Sequence, residues 1–392
     1  MGLRRRSGCT KLLDMSDVSG PPFRADHVGS LLRPADLLDA RTRAAAGEIG
    51  ADELRAVEDA AIADAVRLQR DVGLHTATDG EFRRATWHMD FIYAIGGITK
   101  VEGEGRPVHF HNANGDIDWV PAGLHVDGPL SIDERAPIFG DHFRYLQSQT
   151  GEGQTAKLTI PSPSMVHYRG GAAAIDPAVY PDEDAFWDAL SAAYRQEVRG
   201  LAALGCTYLQ LDDTSLAYLN DPAQRAELAE QGRDAEHQHE RYIRQINAAL
   251  ADRPAGLTVT THMCRGNFRS SWAAEGGYDF VAEALFGGLE VDGFFLEYDD
   301  ARSGGFEPLR FVPPGKRVVL GLVTSKRPEL EDKDVLKRRI DEASRFVPLE
   351  QLCLSPQCGF SSTVEGNALT REDQIAKLAL VVEVAQEVWG YA

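Results

Sequence analysis

Eight short apolar runs, most of them followed by a long segment with helical periodicity, are the feature of this sequence that most limits its fold. The runs are rich in β-branched and aromatic residues and have the length of buried strands. Strands that alternate with helices favour a parallel sheet, and eight such units favour closure of that sheet. We therefore predict an α/β fold, a single (β/α)8 TIM barrel. The predicted strands are 23–29, 74–80, 156–162, 207–213, 257–263, 292–298, 317–323 and 352–358.

Two segments interrupt this alternation. Residues 100–150, after the second predicted strand, contain the extended stretch "VHFHNANGDIDWVPAGLHV", which predicts a β-hairpin-like insertion with its turn at "NGD". The polar stretch 223–252, after the fourth strand, predicts a long helical excursion that projects from the body or meets a partner. Residues 1–20 lack the apolar core of a signal peptide. We expect a disordered tail over 1–20 and one catalytic barrel over 21–392.

Composition excludes several classes of function. A net charge of −19 and a pI near 5.0 repel phosphate backbones, which excludes nucleic acid as a partner. No window approaches the length of apolar sequence that a membrane span needs. The 5 cysteines are odd in number and widely spread, which does not suit a disulfide framework. We expect a cytoplasmic protein with reduced thiols that are available as metal ligands, and the sequence leaves a homo-oligomer open.

Side chains with metal-binding chemistry follow the carboxyl ends of the predicted strands, the end that carries the active site in barrel enzymes. In "THMCRGN", His262 and Cys264 stand two residues apart and face the same side of a strand. A packing role is the alternative for this pair, because free cysteine is among the most buried residue types. Glu297 closes the next strand and Cys358 follows the last one. Two thiolates, one imidazole and one carboxylate form a set that tetrahedral Zn²⁺ accepts, and ligands from separate strands suit a catalytic site.

These residues carry a resemblance to a known family. In order along the chain, "HVGS", "TDGEF", "LQLDD", "THMC", "FFLEYDDARS" and "LSPQCGF" resemble motifs of the C-terminal catalytic domain of cobalamin-independent methionine synthase. The short single-barrel bacterial relatives of that enzyme are especially similar, and the resemblance covers roughly residues 22–390. It implies a (β/α)8 barrel with a zinc ion at its C-terminal face, where the metal binds the thiol of homocysteine, the methyl acceptor.

The resemblance also implies a role for each matching residue. Among the implied substrate contacts, Gly29 and Ser30 hold the carboxylate of the amino acid, and the acids Glu81 and Asp212 hold its ammonium. For either acid taken alone, the alternatives are a surface carboxylate and a carboxylate that supports other residues of the site without touching the substrate. The implied zinc ligands are His262, Cys264, Glu297 and Cys358, and the implied substrate contacts are Gly29, Ser30, Glu81 and Asp212.

The sequence departs from the family pattern in two segments. Where the family has a folate-contacting tryptophan, "IPSPSMVHY" places His167, which becomes a candidate contact for the methyl donor. Where the family has a proton-delivering Asp-x-His, "TSK" places Lys326, a candidate acid for the leaving group. A solvated surface lysine is the alternative for Lys326, and His167, His27 and His88 are other candidate acids. The chain is long enough for only one barrel of the double-barrel enzyme, which leaves the donor open among a folate, a methyl-corrinoid and another molecule.

The predicted function is that of a zinc-dependent thiol S-methyltransferase that forms methionine from homocysteine. Coordination to zinc removes the proton of a thiol whose ordinary pKa is about 8.5 and leaves a nucleophilic thiolate. One alternative is alkyl transfer from another electrophile, such as an epoxide, to a sulfonate-bearing thiol. Arg83, Arg84 and Arg265 offer cations for a sulfonate, whereas Glu81 and Asp212 favour an amino-acid thiol. A non-enzymatic zinc-binding protein is the remote alternative, and the His- or Cys-rich tracts of storage sites are absent.

Overall fold

A parallel sheet of 7 strands, curled into a barrel, forms the centre of the protein. The computed structural model describes residues 20–105, 107–112 and 115–392. Each barrel strand pairs in parallel with the next barrel strand along the chain, in the order β1-β6-β7-β8-β9-β10-β11. The strands are β1 (Thr76–Ala77), β2 (Gly96–Val101), β3 (Val108–Asn112), β4 (Gly115–Trp119), β5 (Gly123–Ser131), β6 (Thr155–Pro161), β7 (Tyr208–Asp213), β8 (Thr258–Met263), β9 (Gly293–Glu297), β10 (Arg317–Val323) and β11 (Leu352–Pro356).

The predicted first strand, 23–29, closes the barrel without forming a regular ladder. Ala25 makes an isolated parallel bridge to Leu354 of β11. On its other side, Thr78 Oγ1 donates a hydrogen bond of 2.6 Å to the carbonyl oxygen of Gly29. The segment therefore lies between the last strand and the residues that follow β1. The prediction of a (β/α)8 barrel is confirmed, with a first strand that is less regular than predicted.

The interior of the barrel contains a buried ion pair beside a small apolar cluster. Lys157 of β6 lies 3.5 Å from Asp26, and both side chains are fully buried. The Lys157 ammonium also donates to the carbonyl oxygen of His27 at 2.6 Å, and Tyr208 donates to Asp26 at 2.8 Å. The lysine nitrogen lies 3.9 Å from the centre of the Phe295 ring. These contacts hold the closing segment against the inner face of the sheet.

Helices cover the outside of the barrel, with apolar faces at helical spacing. In α6, Phe186, Trp187, Leu190 and Tyr194 are buried against the sheet. The helices are α1 (Ala35–Ala45), α2 (Ala51–Asp71), α3 (Met89–Ile92), α4 (Gly140–Gln149), α5 (Ser164–Gly170), α6 (Glu183–Ala203), α7 (Ser215–Tyr218), α8 (Pro222–Glu230), α9 (Gln238–Leu250), α10 (Ala282–Gly288), α11 (Lys333–Ala343) and α12 (Arg371–Trp389). Within the described ranges, no helix combines the length and the hydropathy of a bilayer span.

The insertion after β1 consists of two small antiparallel pairs, β2 with β5 and β3 with β4. The predicted turn "NGD" is only partly described: Gly115 and Asp116 belong to β4, and Asn114 lies outside the described residues. The β3–β4 hairpin lies against the loop that follows β8, because the backbone N–H of His111 donates to the carbonyl oxygen of Trp272 at 2.7 Å. The insertion therefore reaches the end of the barrel at which the carboxyl ends of the strands lie.

The predicted long helix over 223–252 is wrong in its form. The structure has two helices, α8 and α9, separated by residues 231–237, where Gly232 has a φ of 72°. Helix α9 does not project, because Tyr242, Ile246 and Leu250 are buried at helical spacing and the helix packs beside α6 and α10. The predicted disordered tail, 1–20, lies outside the described residues apart from Gly20.

The buried carboxyl of Glu197 makes the stability of the fold depend on pH. Burial raises the pKa of Glu197 in α6 to about 7, although the backbone N–H of Ile138 donates to it at 2.9 Å. The unfolded chain ionises near pH 4.5, so stability falls as the pH rises from about 4.5 through 7. We expect Glu197→Gln to be more stable than the wild type at pH 8, by up to about 3 kcal/mol.

Urea denaturation of both proteins at pH 5 and at pH 8 measures this difference. The advantage of Glu197→Gln should grow between the two pH values. Glu230→Gln, at an exposed position at the end of α8, serves as the matched control and should show no such change. An equal difference at both pH values would contradict the assignment of Glu197 as a buried neutral acid.

Candidate metal centre and active site

Four side chains of the kinds that bind metals converge at the carboxyl ends of three strands. His262 lies in β8 and Cys264 directly follows that strand, Glu297 ends β9, and Cys358 follows β11 by two residues. One ligand atom from each of the four lies within 4.8 Å of the others, and all four residues are buried. Parallel strands bring these positions to one edge of the sheet, because their carboxyl ends all point the same way. The four residues could therefore hold one metal ion.

The two cysteines of this set share a hydrogen bond and a negative charge. Their sulfurs lie 3.5 Å apart, and both thiols are free. The hydrogen bond from Cys264, together with nearby His262 and Lys326, holds the pKa of the Cys358 thiol well below its ordinary value. A thiolate is the form of cysteine that binds metals. The site therefore favours the ionised sulfur of Cys358, whereas the hydrogen bond to Cys358 raises the pKa of the Cys264 thiol well above its ordinary value.

The imidazole of His262 lacks the partners that a buried polar group normally has. Neither of its ring nitrogens has a hydrogen-bond partner among the described residues, although the residue is only 2% exposed. Burial alone would lower the pKa of His262, but Cys358 and other acidic neighbours raise it. A metal ion at this position would satisfy the imidazole and both sulfurs at once. The residues therefore fit a metal ion.

The main chain around Glu297 is fixed by an arginine of the loop after β8. Arg265 donates from its backbone N–H to Glu297 Oε1 at 3.2 Å and from its guanidinium to the Glu297 carbonyl oxygen at 3.0 Å. The same guanidinium donates to Tyr278 at 3.0 Å, and the Tyr278 hydroxyl accepts from the backbone N–H of Glu297 at 2.9 Å. Sequence reasoning missed Tyr278, which lies well apart from Glu297 along the chain.

A narrow cavity of about 20 Å³ lies beside the four ligand-type residues. We call it the inner cavity. Most of the predicted substrate contacts line it together with predicted metal ligands. Trp87, Gly359 and Ser362 also line it, and sequence reasoning did not select them. The lining residues are Val28, Ser30, Glu81, Trp87, Asp212, His262, Cys264, Cys358, Gly359 and Ser362.

Gly29 packs closely against Glu81, one of the residues that line the inner cavity. Its φ is 154°, and a Cβ at this position would lie 2.8 Å from Thr159 Cγ2 and 3.3 Å from Glu81 Oε1. A larger residue would push against the carboxylate, so the close approach requires glycine. Ser30 follows directly and offers its hydroxyl, which accepts from the backbone N–H of Ser361 at 3.3 Å. The closing segment of the barrel thus brings backbone and hydroxyl groups to the cavity.

Two buried carboxyl groups, those of Glu81 and Asp212, also line the inner cavity. Burial raises the pKa of Asp212 to about 7, and the proximity of Glu81 adds to the shift. Burial likewise raises the pKa of Glu81, whose Oε2 has no hydrogen-bond partner among the described residues. Gln210 donates to Asp212 at 2.6 Å, and its place two residues earlier in the same strand was the signal that could have revealed it. Two acids that repel each other form a site for a cation.

The backbone of Glu81 is held in a conformation that side chains seldom adopt. Its φ is 61°, in the left-handed region, so the surrounding structure must hold the residue there. Thr159 donates to Glu81 Oε1 at 2.7 Å, and the Arg84 guanidinium lies 3.7 Å from the same oxygen. These contacts aim the carboxylate at the cavity. Glu81 is only 3% exposed, which excludes the alternative of a surface carboxylate.

Lys326 is a buried side chain, which excludes the alternative of a solvated surface lysine. It is 7% exposed, and its ammonium has no hydrogen-bond partner among the described residues. Burial alone would lower the pKa of Lys326, but Glu297, Asp299 and Cys358 raise it above its ordinary value. The structure therefore places this cation beside the candidate metal ligands.

His167 lies in a different place from the candidate metal ligands. Its Nδ1 contacts the Tyr242 hydroxyl at 3.1 Å and the Arg233 guanidinium at 3.2 Å. It lines a separate cavity with Glu183 and Arg241, and it is not among the residues that line the inner cavity. A donor that contacts His167 would occupy that separate cavity. The structure thus does not bring this predicted contact together with the metal ligands.

The fold and the site together define a (β/α)8 barrel protein with a candidate metal centre at the carboxyl ends of its strands. The family model described as the catalytic domain of cobalamin-independent synthase matches residues 126–387. The chain belongs to this family.

Relatives of similar length support this assignment. The uncharacterized protein YxjH of Bacillus subtilis is 47% identical over 370 residues, which are 94% of this chain and 95% of that protein. A solved structural-genomics target from Listeria monocytogenes is 39% identical with a TM-score of 0.74, and the match covers 94% of this chain and 98% of that one. The methionine synthase of Pyrococcus abyssi is 24% identical over 374 residues, which are 95% of this chain and 96% of that enzyme.

Loss of both cysteine ligands should remove the metal. We expect the wild-type protein to retain close to one divalent ion per chain, and the Cys264→Ser, Cys358→Ser double variant to retain almost none, because serine is a poor ligand for soft and borderline ions. Elemental analysis after metal-replete expression and gel filtration gives the ratio. Cys206→Ser, at a buried cysteine outside the set, is the matched control and should keep its metal. Unchanged metal in the double variant would show that these sulfurs are not ligands.

Proposed function

We propose that this protein transfers a methyl group to the sulfur of homocysteine, at a zinc ion held by His262, Cys264, Glu297 and Cys358. One observation carries the proposal: Glu81 and Asp212 line the same cavity as three of the metal-ligand candidates. The reaction would be that of a zinc-dependent, cobalamin-independent methionine synthase. The name of the Pyrococcus abyssi relative supports the methionine-forming reaction.

The donor set supports zinc as the metal. Two cysteine sulfurs, one imidazole and one carboxylate are all common zinc ligands, and ligands that come from separate strands are typical of a catalytic site. A bound zinc ion would lower the pKa of the acceptor thiol, so that its proton is released to solvent and the sulfur remains a nucleophilic thiolate. The chain itself supplies the charge balance, because Lys326 lies beside Glu297 and Cys358.

The charged and polar groups that line the inner cavity support an amino-acid thiol as the acceptor. An ammonium between Glu81 and Asp212 would relieve their repulsion and gain charge-assisted hydrogen bonds. Ser30 lines the same cavity and Gly29 directly precedes it, so the Ser30 hydroxyl and the backbone at Gly29 would hold the carboxylate. Half-buried Trp87 also lines this narrow cavity, so acceptor entry requires side chains around it to turn aside.

The cations that would favour a sulfonate-bearing thiol are engaged elsewhere. Arg83 pairs with Glu58 and Asp59, and Arg265 holds the main chain of Glu297. Arg84 donates to Thr159 and pairs with Glu81, so its charge is already used beside the cavity. None of these three arginines lines the inner cavity. The arrangement therefore supports homocysteine over the sulfonate alternative.

Removal of one acid should weaken acceptor binding without loss of the metal. We expect Asp212→Asn and Glu81→Gln each to weaken homocysteine binding at least about tenfold, because an unpaired buried charge costs roughly 2–5 kcal/mol. Calorimetric titration of the zinc-loaded variants gives the dissociation constants. Glu236→Gln, at an exposed acid, is the matched control.

A thiol that lacks the amino group, such as 3-mercaptopropionate, separates the two acceptor hypotheses. Its affinity should be low for the wild type and unchanged by either acid substitution. If it competes as well as homocysteine, or if both variants bind homocysteine normally, the amino-acid proposal fails and the sulfonate-thiol alternative becomes the better one.

The acceptor sulfur should become a neighbour of the metal. X-ray absorption at the zinc edge should show one additional sulfur at about 2.3 Å when homocysteine is present at saturation. The same measurement with methionine, whose thioether is a weaker ligand, is the control and should show no such increase. An unchanged zinc environment with homocysteine would contradict the proposed activation of the thiol.

A further inference from the structure

A buried arginine, Arg84, pairs with one of the acids of the inner cavity. The residue is fully buried, and its guanidinium carbon lies 4.3 Å from the centre of the Phe139 ring. Its guanidinium lies 3.7 Å from Glu81 Oε1 and donates to Thr159 Oγ1 at 3.1 Å. Arg84 is not among the residues that line the inner cavity. It would therefore act on a bound molecule through Glu81, and not by direct contact.

The position of Arg84 is fixed by the main chain of a tight turn. Its backbone N–H donates to the carbonyl oxygen of Glu81 at 3.0 Å, which closes a turn over residues 81–84. The guanidinium of Arg33 donates to the carbonyl oxygens of both Glu81 and Arg84, at 3.0 and 2.9 Å. The separation of the carboxylate from the guanidinium is therefore set by the fold, in contrast to a surface pair of two mobile side chains.

The guanidinium of Arg84 makes few of the hydrogen bonds that are open to it. Its Nε and Nη2 are buried and have no hydrogen-bond partner among the described residues. A buried arginine that serves the fold through hydrogen bonds normally uses most of its five N–H donors. Arg33 is such an arginine, because its guanidinium donates to five oxygen atoms. The charge of Arg84 is therefore the property that distinguishes it.

Most of the other charged groups near Glu81 cancel one another. The groups that interact with it electrostatically are Arg84, Asp79, Arg33, Asp212 and Lys157. Lys157 is balanced by Asp26, which lies 3.5 Å away. The negative charge of Asp79 offsets the positive charge of Arg33. Two carboxylates, those of Glu81 and Asp212, and one guanidinium therefore remain.

One guanidinium beside two carboxylates leaves one net negative charge at the acid pair. The ammonium of an amino acid would bring this charge to zero. Without Arg84, two carboxylates would face one ammonium, and an uncompensated charge in a buried site is costly. One of the acids would then bind a proton, because like charges raise each other's pKa. A protonated acid is a weaker partner for an ammonium than a carboxylate is.

We propose that Arg84 is a positioning residue for the acceptor: acting through Glu81, it gives the acid pair one net negative charge, which matches the single ammonium of an amino acid. This inference rests on the proposed function, because it concerns how the same cavity recognises homocysteine. The charge of Arg84, and not its size or its hydrogen bond to Thr159, is the property that the proposal requires.

Methionine is the probe that tests this role, because it has the amino-acid group of homocysteine but no thiol proton. Burial raises the pKa of Glu81, and Arg84 opposes that shift. Loss of Arg84 therefore raises this pKa further. Since only the ionised carboxylate binds an ammonium well, affinity is lost as the pH falls through a pKa that is higher in the variant. The loss of affinity in Arg84→Met should thus be greater at low pH.

Calorimetric titration of methionine into the zinc-loaded wild type and Arg84→Met, at pH 6 and at pH 8, measures this difference. The ratio of the dissociation constant of the variant to that of the wild type should be at least about tenfold larger at pH 6 than at pH 8. An equal ratio at both pH values would show a purely structural role and would overturn the inference. Homoserine, which also has no thiol, replaces methionine if the S-methyl group prevents binding.

Three further variants separate charge from structure. Arg83→Met is the matched control, because the Arg83 side chain is buried and belongs to the same turn but pairs with Glu58 and Asp59 of α2. Its effect should be the same at both pH values. Arg84→Lys retains the charge and should restore most of the wild-type affinity at pH 6. In the Glu81→Gln background, Arg84→Met should have no pH-dependent effect, since no carboxyl remains there to bind a proton.

Zinc content and the midpoint of thermal unfolding show whether each variant is folded. If Arg84→Met does not keep its zinc, Arg84→Gln takes its place, because glutamine keeps a hydrogen-bond donor for Thr159 but has no charge. The same pH dependence is expected of that variant. If both variants lose their zinc while Arg83→Met keeps it, Arg84 stabilises the fold, and the inference is overturned.

Failure of this inference can be distinguished from failure of the proposed function. If the wild type binds zinc and homocysteine but the effect of Arg84→Met on the probe does not depend on pH, the inference is overturned and the proposed function stands. If the wild type does not bind homocysteine, the proposed function is overturned, and with it the role of Arg84 in recognition of the ammonium.

Discussion

The buried ion pair between Lys157 and Asp26 is the interaction on which the rest of the structure depends. It lies inside the barrel, where both side chains are fully buried, and it ties the closing segment to β6. Loss of one partner from a buried pair costs roughly 3–5 kcal/mol, because the other charge is left without compensation. The segment therefore cannot leave the barrel easily. Gly29, the last residue of the segment, and Ser30, which follows it, are thereby held at the end of the barrel where the candidate site lies.

Polar and charged groups deep in the barrel differ from those near the carboxyl ends of the strands in how many hydrogen-bond partners they have. Lys157 and Asp26 have several partners each, as a stable interior requires. Nearer the carboxyl ends of the strands, the Lys326 ammonium, the His262 imidazole and one oxygen of Glu81 have no hydrogen-bond partner among the described residues. Unsatisfied groups in an otherwise satisfied structure are typical of functional sites, where a ligand completes the interactions.

The fold could be predicted well where a residue pattern repeats. The bounds predicted for the strand at 317–323 are those of β10, because a short continuous apolar run rich in valine is typical of a strand that is buried on both faces of a parallel sheet. The prediction was weaker where tertiary contacts replace a pattern. Residues 23–29 close the barrel through an isolated bridge and side-chain contacts in place of a regular ladder, and the polar stretch 223–252 breaks into two helices. In α9, a buried face at helical spacing decided the packing, although the overall composition of the stretch is polar.

The sequence by itself determined which side chains could meet at the candidate metal centre. Strand periodicity places His262 and Cys264 on one side, and parallel strands bring Glu297 and Cys358 to the same edge. Only the tertiary structure decided what surrounds them. A cavity of about 550 Å³, which Lys326 lines, takes its walls from 112, 269–272, 299–302, 324–328 and 368, and no periodicity relates the conformations of separate loops. For the same reason, only the folded chain showed that Lys326 lies beside the metal ligands while His167 lies in another cavity.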